Sequence, residues 1–125
     1  MIVIDSSGWM HYFMNGELAE AYSRYMTKSD QIITPTIVLY EVYKKIKKEF
    51  GDEPAFIASS EIEKTHLVSL THSLAMDAAS VSIEHKLAMA DSIIYATANL
   101  YGAKLVTSDA DFKDLPGVSY ISVSE

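Results

Sequence analysis

Apolar and polar positions along this chain follow two different rhythms. Short continuous apolar runs end abruptly at polar or turn residues, and between them lie longer stretches whose apolar residues return every three or four positions. The first pattern predicts buried parallel strands and the second predicts helices. Strands are expected at Met1–Ile4, at Gln31–Thr34 before Pro35, in "LVSL" at 67–70, at Lys104–Thr107 and in "VSYISV" at 118–123. A short helix is expected after Ser6 or Ser7 as cap, with Trp9, Tyr12 and Phe13 at helical spacing. Further helices are expected over Glu17–Met26, over Thr36–Phe50, from Pro54 to about Lys64, over Ser73–Lys86 and over Ala90–Tyr101 before Gly102. In the 36–50 helix, Leu39, Val42, Tyr43, Ile46 and Phe50 make one apolar stripe, and Gly51 stops it. Strands alternating with helices predict an α/β fold, a central parallel sheet flanked by helices. With 125 residues and no repeat, linker or low-complexity tract, a single domain over 1–125 is expected.

Composition narrows the picture a little. Apolar residues make up 49% of the chain, enough for an ordinary core. Without cysteine there are no disulfides or thiolate metal sites, which suits a reducing cytoplasm. No segment has the length of a membrane span or the layout of a signal peptide, so a soluble, cytoplasmic protein is expected. A net charge of −7 argues against a general nucleic-acid coat. It does not argue against an enzyme acting on nucleic acid, because carboxylates that bind cations are neutralised by them.

Where the carboxylates fall is the informative feature. Ligands of open parallel sheets sit beyond the carboxyl ends of the strands. Asp5 follows the first strand and Asp109 follows "KLVT", so if those strands are neighbours the two acids face one crevice. Glu41 points away from the apolar stripe of its helix and shares a face with Lys44, Lys45 and Lys48. It either pairs with Lys45 on a solvated surface or joins the other acids. Asp91 lies in the largely apolar stretch "LAMADSIIYATANL", where an unpaired carboxylate is costly. It could cap a helix beginning at Ser92, bind a cation, or do both. Asp111 is either a fifth member or a turn-forming acid. Thr107 and Ser108 either hydrogen-bond the aspartates or merely close a strand. His11, His66, His72 and His85 show no metal-ligand spacing, and surface or core-edge positions are expected for them.

Four segments carry a resemblance. "MIVIDSSGW", "TPTIVLYEVYKKI", "LAMADSIIYATA" and "KLVTSDADF" look like the four motif blocks of PIN-domain ribonucleases, in the family's order and across essentially the whole chain. The length looks most like the VapC-type toxins of prokaryotic toxin–antitoxin pairs. The resemblance implies a PIN fold with four or five parallel strands and a Mg²⁺- or Mn²⁺-dependent ribonuclease activity. It maps the family's acidic quartet onto Asp5, Glu41, Asp91 and Asp109, with Asp111 as the fifth acid. The family's hydroxyl beside the metal falls on Thr107 or Ser108, and another on Ser6. It further implies a homodimer and a small antitoxin laid across the acidic groove. Aromatic residues among Trp9, Tyr12, Phe13, Tyr22 and Tyr25 are candidates either for a dimer interface or for packing onto the sheet.

On this reading the nucleophile is a water activated by metal bound to Asp5, Asp91 and Asp109, with Glu41 binding a second ion or orienting the water. Arg24 is the only arginine, so RNA contacts would rest on lysines, with Lys44, Lys45 and Lys48 as candidates. The rival reading is a PIN-fold protein with a non-catalytic binding role in RNA processing, which the full set of acids disfavours. A receiver domain or an aspartate-nucleophile phosphatase fits less well. Asp5 is followed by serines rather than by a second aspartate two residues on, and "QIITP" ends without an acid.

Overall fold

A computed structural model describes residues 1–122. Five parallel strands form one sheet in the order β3-β2-β1-β4-β5. They are β1 (Ile2–Ile4), β2 (Ile32–Pro35), β3 (His66–Val68), β4 (Lys104–Thr107) and β5 (Val118–Tyr120). Six helices connect and cover them: α1 (Ser6–Phe13), α2 (Ala19–Ser23), α3 (Thr36–Phe50), α4 (Asp52–Ile62), α5 (His72–His85) and α6 (Met89–Leu100). The continuous apolar strands occupy the middle of the sheet, where Val3, Ile4, Leu105 and Val106 are fully buried. At the β3 edge His66 and Leu67 are exposed.

The expected elements are all present, with shifted ends that have local causes. Helix α2 is half as long as predicted. Asn15 has a positive φ of 52°, and beyond Ser23 the backbone turns through tight bonds from Tyr25 N to Tyr22 O and Met26 N to Ser23 O. Strand β3 stops at Val68 because its partner there is Pro35, which has no N–H to continue the ladder. Strand β5 ends at Tyr120, although Ile121 N still donates to Thr107 O; Val123, the end of the predicted strand, lies outside the described residues. Helix α4 begins at Asp52, and Pro54 falls in its first turn, where backbone N–H groups have no helical partner to lose. Gly51 separates α3 from α4 with φ 99°, a conformation that an L side chain would strain.

The stripe on α3 is displaced from its predicted position. Val38, Val42 and Ile46 are its buried residues, whereas Phe50 is 56% exposed. Helix α6 is buried along Ser92–Ala98, as its apolar composition requires. One further constraint is steric. A Cβ on Gly8 would lie 2.5 Å from Tyr22 Cε1, so only glycine lets α1 pass over this buried tyrosine. Among the described residues, no helix is long and apolar enough to cross a membrane.

Candidate active site

Strand order reverses its direction of growth at β1: the chain first builds outward through β2 and β3, then returns to the other side with β4 and β5. The crevice at such a switch point opens between the carboxyl ends of β1 and β4. Asp5 and Asp109 stand there, as expected for neighbouring strands. Glu41 arrives from the second turn of α3 and Asp91 from the first turn of α6. Asp5, Ser6, Ser7, Met10, Glu41, Asp91, Ile94 and Asp109 line one cleft of about 220 Å³.

The acids at and beside it divide into two sets. Carboxylate oxygens of Asp91, Asp109 and Asp111 lie within 4.8 Å of one another. Asp5 is deeper, 3% exposed, and its oxygens are already engaged. Oδ1 accepts from Gly8 N at 3.0 Å, while Oδ2 accepts from Ser7 Oγ at 3.0 Å and Thr107 Oγ1 at 2.6 Å. Asp5 is therefore the N-cap of α1, the role expected of Ser6 or Ser7; Ser6 opens the helix instead. The Ser6 hydroxyl donates a short hydrogen bond to Glu41 Oε1 and ties α1 to α3.

Several sequence alternatives are settled by these contacts. Glu41 bonds Ser6 rather than Lys45, which pairs with Glu49 at 3.0 Å. Asp91 caps nothing, because α6 starts two residues earlier with Ala88 as its cap. The Asp109 side chain caps the 3-10 turn Ala110–Phe112 by accepting from Asp111 N at 2.9 Å, which leaves Asp111 supplying a backbone donor to that turn. Thr107 touches an aspartate, but Ser108 bonds the Tyr22 hydroxyl at 2.8 Å. Trp9 and Tyr22 are buried and so unavailable as dimer contacts, while Tyr12 keeps an exposed edge. None of the four histidines joins the carboxylate group.

Crowding of acids marks the electrostatics. Burial pushes the Asp91 carboxyl up to about 6, with Asp109, Asp111, Glu41 and Asp5 adding repulsion. Burial also raises Asp5, against the opposing pull of its hydrogen bonds from Thr107, Gly8 and Ser7. A cleft of unneutralised carboxylate oxygens suits a hard divalent cation, which takes oxygen ligands and would relieve the repulsion. The donor set fits that group.

Ser7, expected as a helix cap, and Tyr22, expected at a dimer interface or on the sheet, instead support the site. The adjacency of Ser7 to Asp5 was a usable signal; the Tyr22–Ser108 contact, between residues 86 apart, had none.

The comparisons agree with this architecture. Solved structures sharing the fold include a toxin–antitoxin complex from Klebsiella pneumoniae, with TM-score 0.81 and 23% identity over 100% of this chain and 99% of that one. They also include VapC20 of Mycobacterium tuberculosis, described as a sarcin–ricin loop cleaving toxin, with TM-score 0.79 and 18% identity over the full length of both chains. DNA-bound VapBC from Salmonella typhimurium gives TM-score 0.74 and 16% identity over 99% of this chain and all of that one. No curated protein sequence matches the chain significantly. The PIN domain family model matches residues 2–118, nearly the whole length, and the chain belongs to the PIN domain family.

Proposed function

We infer that this protein is a divalent-metal-dependent endoribonuclease, the toxin of a toxin–antitoxin pair. The observation that carries the reading is the convergence of Asp91, Asp109 and Asp111, from two separate elements, with Asp91 and Asp109 lining one cleft beside Asp5 and Glu41. The likeness to a chain of the Klebsiella toxin–antitoxin complex and to the Mycobacterium toxin supports the assignment of the biological role.

Asp91, Asp109 and Asp111 would hold a Mg²⁺ or Mn²⁺ ion, with Asp5 and Glu41 close by for a second ion or its waters. When bound, such an ion lowers the pKa of water and stabilises charge developing at phosphate. The chain's own residues arrange the rest. Thr107 and Ser7 fix the Asp5 carboxylate, and Ser6 fixes Glu41 by Oε1 so that Oε2 can orient the attacking water. Water oxygen bonds to phosphorus and releases a proton to solvent, one P–O ester bond breaks, and the leaving oxygen takes up a proton from solvent. Lys44, Lys45 and Lys48, on the α3 face beside Glu41, approach the RNA backbone. The partners are RNA and a small antitoxin that covers the acidic groove. A cytoplasmic homodimer completes the proposal, and exposed Met76, Ile83 and Met89 on α5 and α6 offer it more apolar surface than the aromatics of α1.

Cleavage of a mixed set of structured RNAs by wild type and Asp5→Asn, each in Mg²⁺, Mn²⁺ or EDTA, tests the activity, with circular dichroism to verify folding. Metal-dependent cleavage by wild type that disappears in the folded variant is expected. Cleavage indifferent to EDTA and to the substitution would refute the mechanism, and silence of folded wild type in every metal would favour a non-catalytic binding role.

A further inference from the structure

Four of the chain's ten basic residues fall between positions 44 and 48, on one helix of an otherwise acidic protein. They do not share one role. Lys47 pairs with Asp52 at 3.2 Å and Lys45 with Glu49 at 3.0 Å, whereas Lys44 and Lys48 are in no ion pair among the described residues. These two stand at i+4 and i+8 from Tyr40, so the three side chains form one row along α3 spanning about 12 Å of helix. Tyr40, one residue from an acid of the cleft, is 57% exposed. Lys44 Nζ sits 5.5 Å from its ring centroid and 3.5 Å from its hydroxyl, a contact that steadies the ring.

This row lines a groove of about 420 Å³ that contains Met10 and Glu41, and both residues also line the carboxylate cleft. Groove and cleft thus adjoin at Met10 and Glu41, with the acids on one side and Tyr40, Lys44 and Lys48 on the other. Cations spaced along a groove meet phosphates, and an exposed ring beside them meets a nucleobase face. A base can lie on the ring only if it is unpaired.

Resting on the nuclease reading, we propose that the Tyr40–Lys44–Lys48 row is a docking track for a single-stranded arm of the RNA substrate, with a base stacked on Tyr40 and phosphates at Lys44 and Lys48. The strand leaves the carboxylate cleft over Met10 and runs toward the C-terminal end of α3. A solvated lysine face would share the exposure, but it would have no reason to adjoin the acidic cleft with an exposed ring between them.

The test is fluorescence anisotropy with a labelled single-stranded RNA 12-mer and its 12-base-pair duplex. Full-length protein is used with Ca²⁺ in place of Mg²⁺, and a denaturing gel verifies that the probe stays intact. Wild type should prefer the single strand. Lys44→Ala/Lys48→Ala should weaken it about tenfold and reduce the log–log salt slope by roughly 1.4, two phosphates' worth at about 0.7 each. Tyr40→Ala should weaken binding about tenfold with the slope unchanged, and Tyr40→Phe should restore it. Unchanged affinity in both variants, equal binding of duplex and single strand, or no binding by wild type would each overturn the track. Metal-dependent cleavage by wild type, measured separately, distinguishes loss of the track from loss of the nuclease reading: cleavage with variants that bind normally removes only the track.

Discussion

Thr107 Oγ1 donates a 2.6 Å hydrogen bond to Asp5 Oδ2, joining residues 102 positions apart across the seam between β1 and β4. The same oxygen accepts from Asp109 N at 2.9 Å. One fully buried hydroxyl thereby fixes an acid after one strand and the backbone of an acid after the next. A threonine suits this place twice over, since its methyl branch fits a buried strand and its hydroxyl both donates and accepts.

Replacing Thr107 by valine keeps the shape and removes both bonds. Asp5 retains Gly8 and Ser7 as donors, so the loss is partial, about 1–3 kcal/mol for a buried acceptor left short. Urea denaturation should show that loss for Thr107→Val, and Thr107→Ser should recover most of it. RNA cleavage should fall in the valine variant beyond what its unfolded fraction explains. Equal stability of valine and threonine proteins would count against the bridging role.

The pH dependence of stability follows from Asp91. Its carboxyl titrates near 6 in the folded protein against an ordinary 3.8, so between about pH 4 and 6 the folded chain binds more protons than the unfolded one. Stability of the metal-free protein should therefore decline as pH rises through that window and stay at the lower level above it. Asp5, also raised, acts in the same direction. Half-exposure of Asp91 moderates the size of the effect. A divalent cation takes the place of the protons, so Mn²⁺ should raise the melting temperature at pH 7.5 and much less at pH 4.5. Differential scanning fluorimetry at the two pH values decides it; an equal shift at both would show that the cation binds elsewhere.

Asp91→Asn separates repulsion from ligation. Removing one charge from the cluster should raise the melting temperature of the metal-free protein at pH 7.5. The same change should abolish the shift caused by Mn²⁺, because one of three converging oxygens is no longer anionic. Asp77→Asn, on an exposed position of α5, should change neither value. A variant that is less stable without metal yet still stabilised by Mn²⁺ would contradict both halves of the argument.

Much of the placement of these acids was legible in the sequence. The strand-end positions of Asp5 and Asp109 needed only the rule that parallel strands open their ligand crevice at their carboxyl ends, together with adjacency of β1 and β4. Asp91 stood out as a charge in an apolar helix. What stayed hidden was the division of labour. Whether Asp5 or Ser6 caps α1 depends on a difference of one residue in where the strand lets go, which periodicity does not resolve. That Glu41 turns to Ser6 and leaves Lys45 to Glu49 depends on where α1 lies against α3, a tertiary relation with no local trace. The burial of Trp9 and Tyr22 was open for the same reason, since a helix pattern names a face without naming what covers it.

Gly8 and Tyr22 make the last prediction, because one explains the other. A Cβ at Gly8 would fall 2.5 Å from Tyr22 Cε1 and 2.7 Å from Ile4 Cγ2, and neither buried side chain has room to withdraw. Gly8→Ala should therefore cost about 1–3 kcal/mol through overpacking, despite alanine's better helix propensity. The crowding has a purpose at the other end of the ring, where the Tyr22 hydroxyl meets Ser108 at 2.8 Å, next to Asp109. Tyr22→Phe keeps the ring and removes this tie, so it should lower stability by only about 1 kcal/mol. It should nevertheless weaken Mn²⁺ affinity, since the turn carrying Asp109 and Asp111 loses its contact with α2. Calorimetric titration of the two variants distinguishes the effects: Gly8→Ala should lose stability chiefly, Tyr22→Phe metal affinity chiefly. If Tyr22→Phe bound Mn²⁺ as wild type does, the hydroxyl would be a packing detail and the turn would hold its acids unaided.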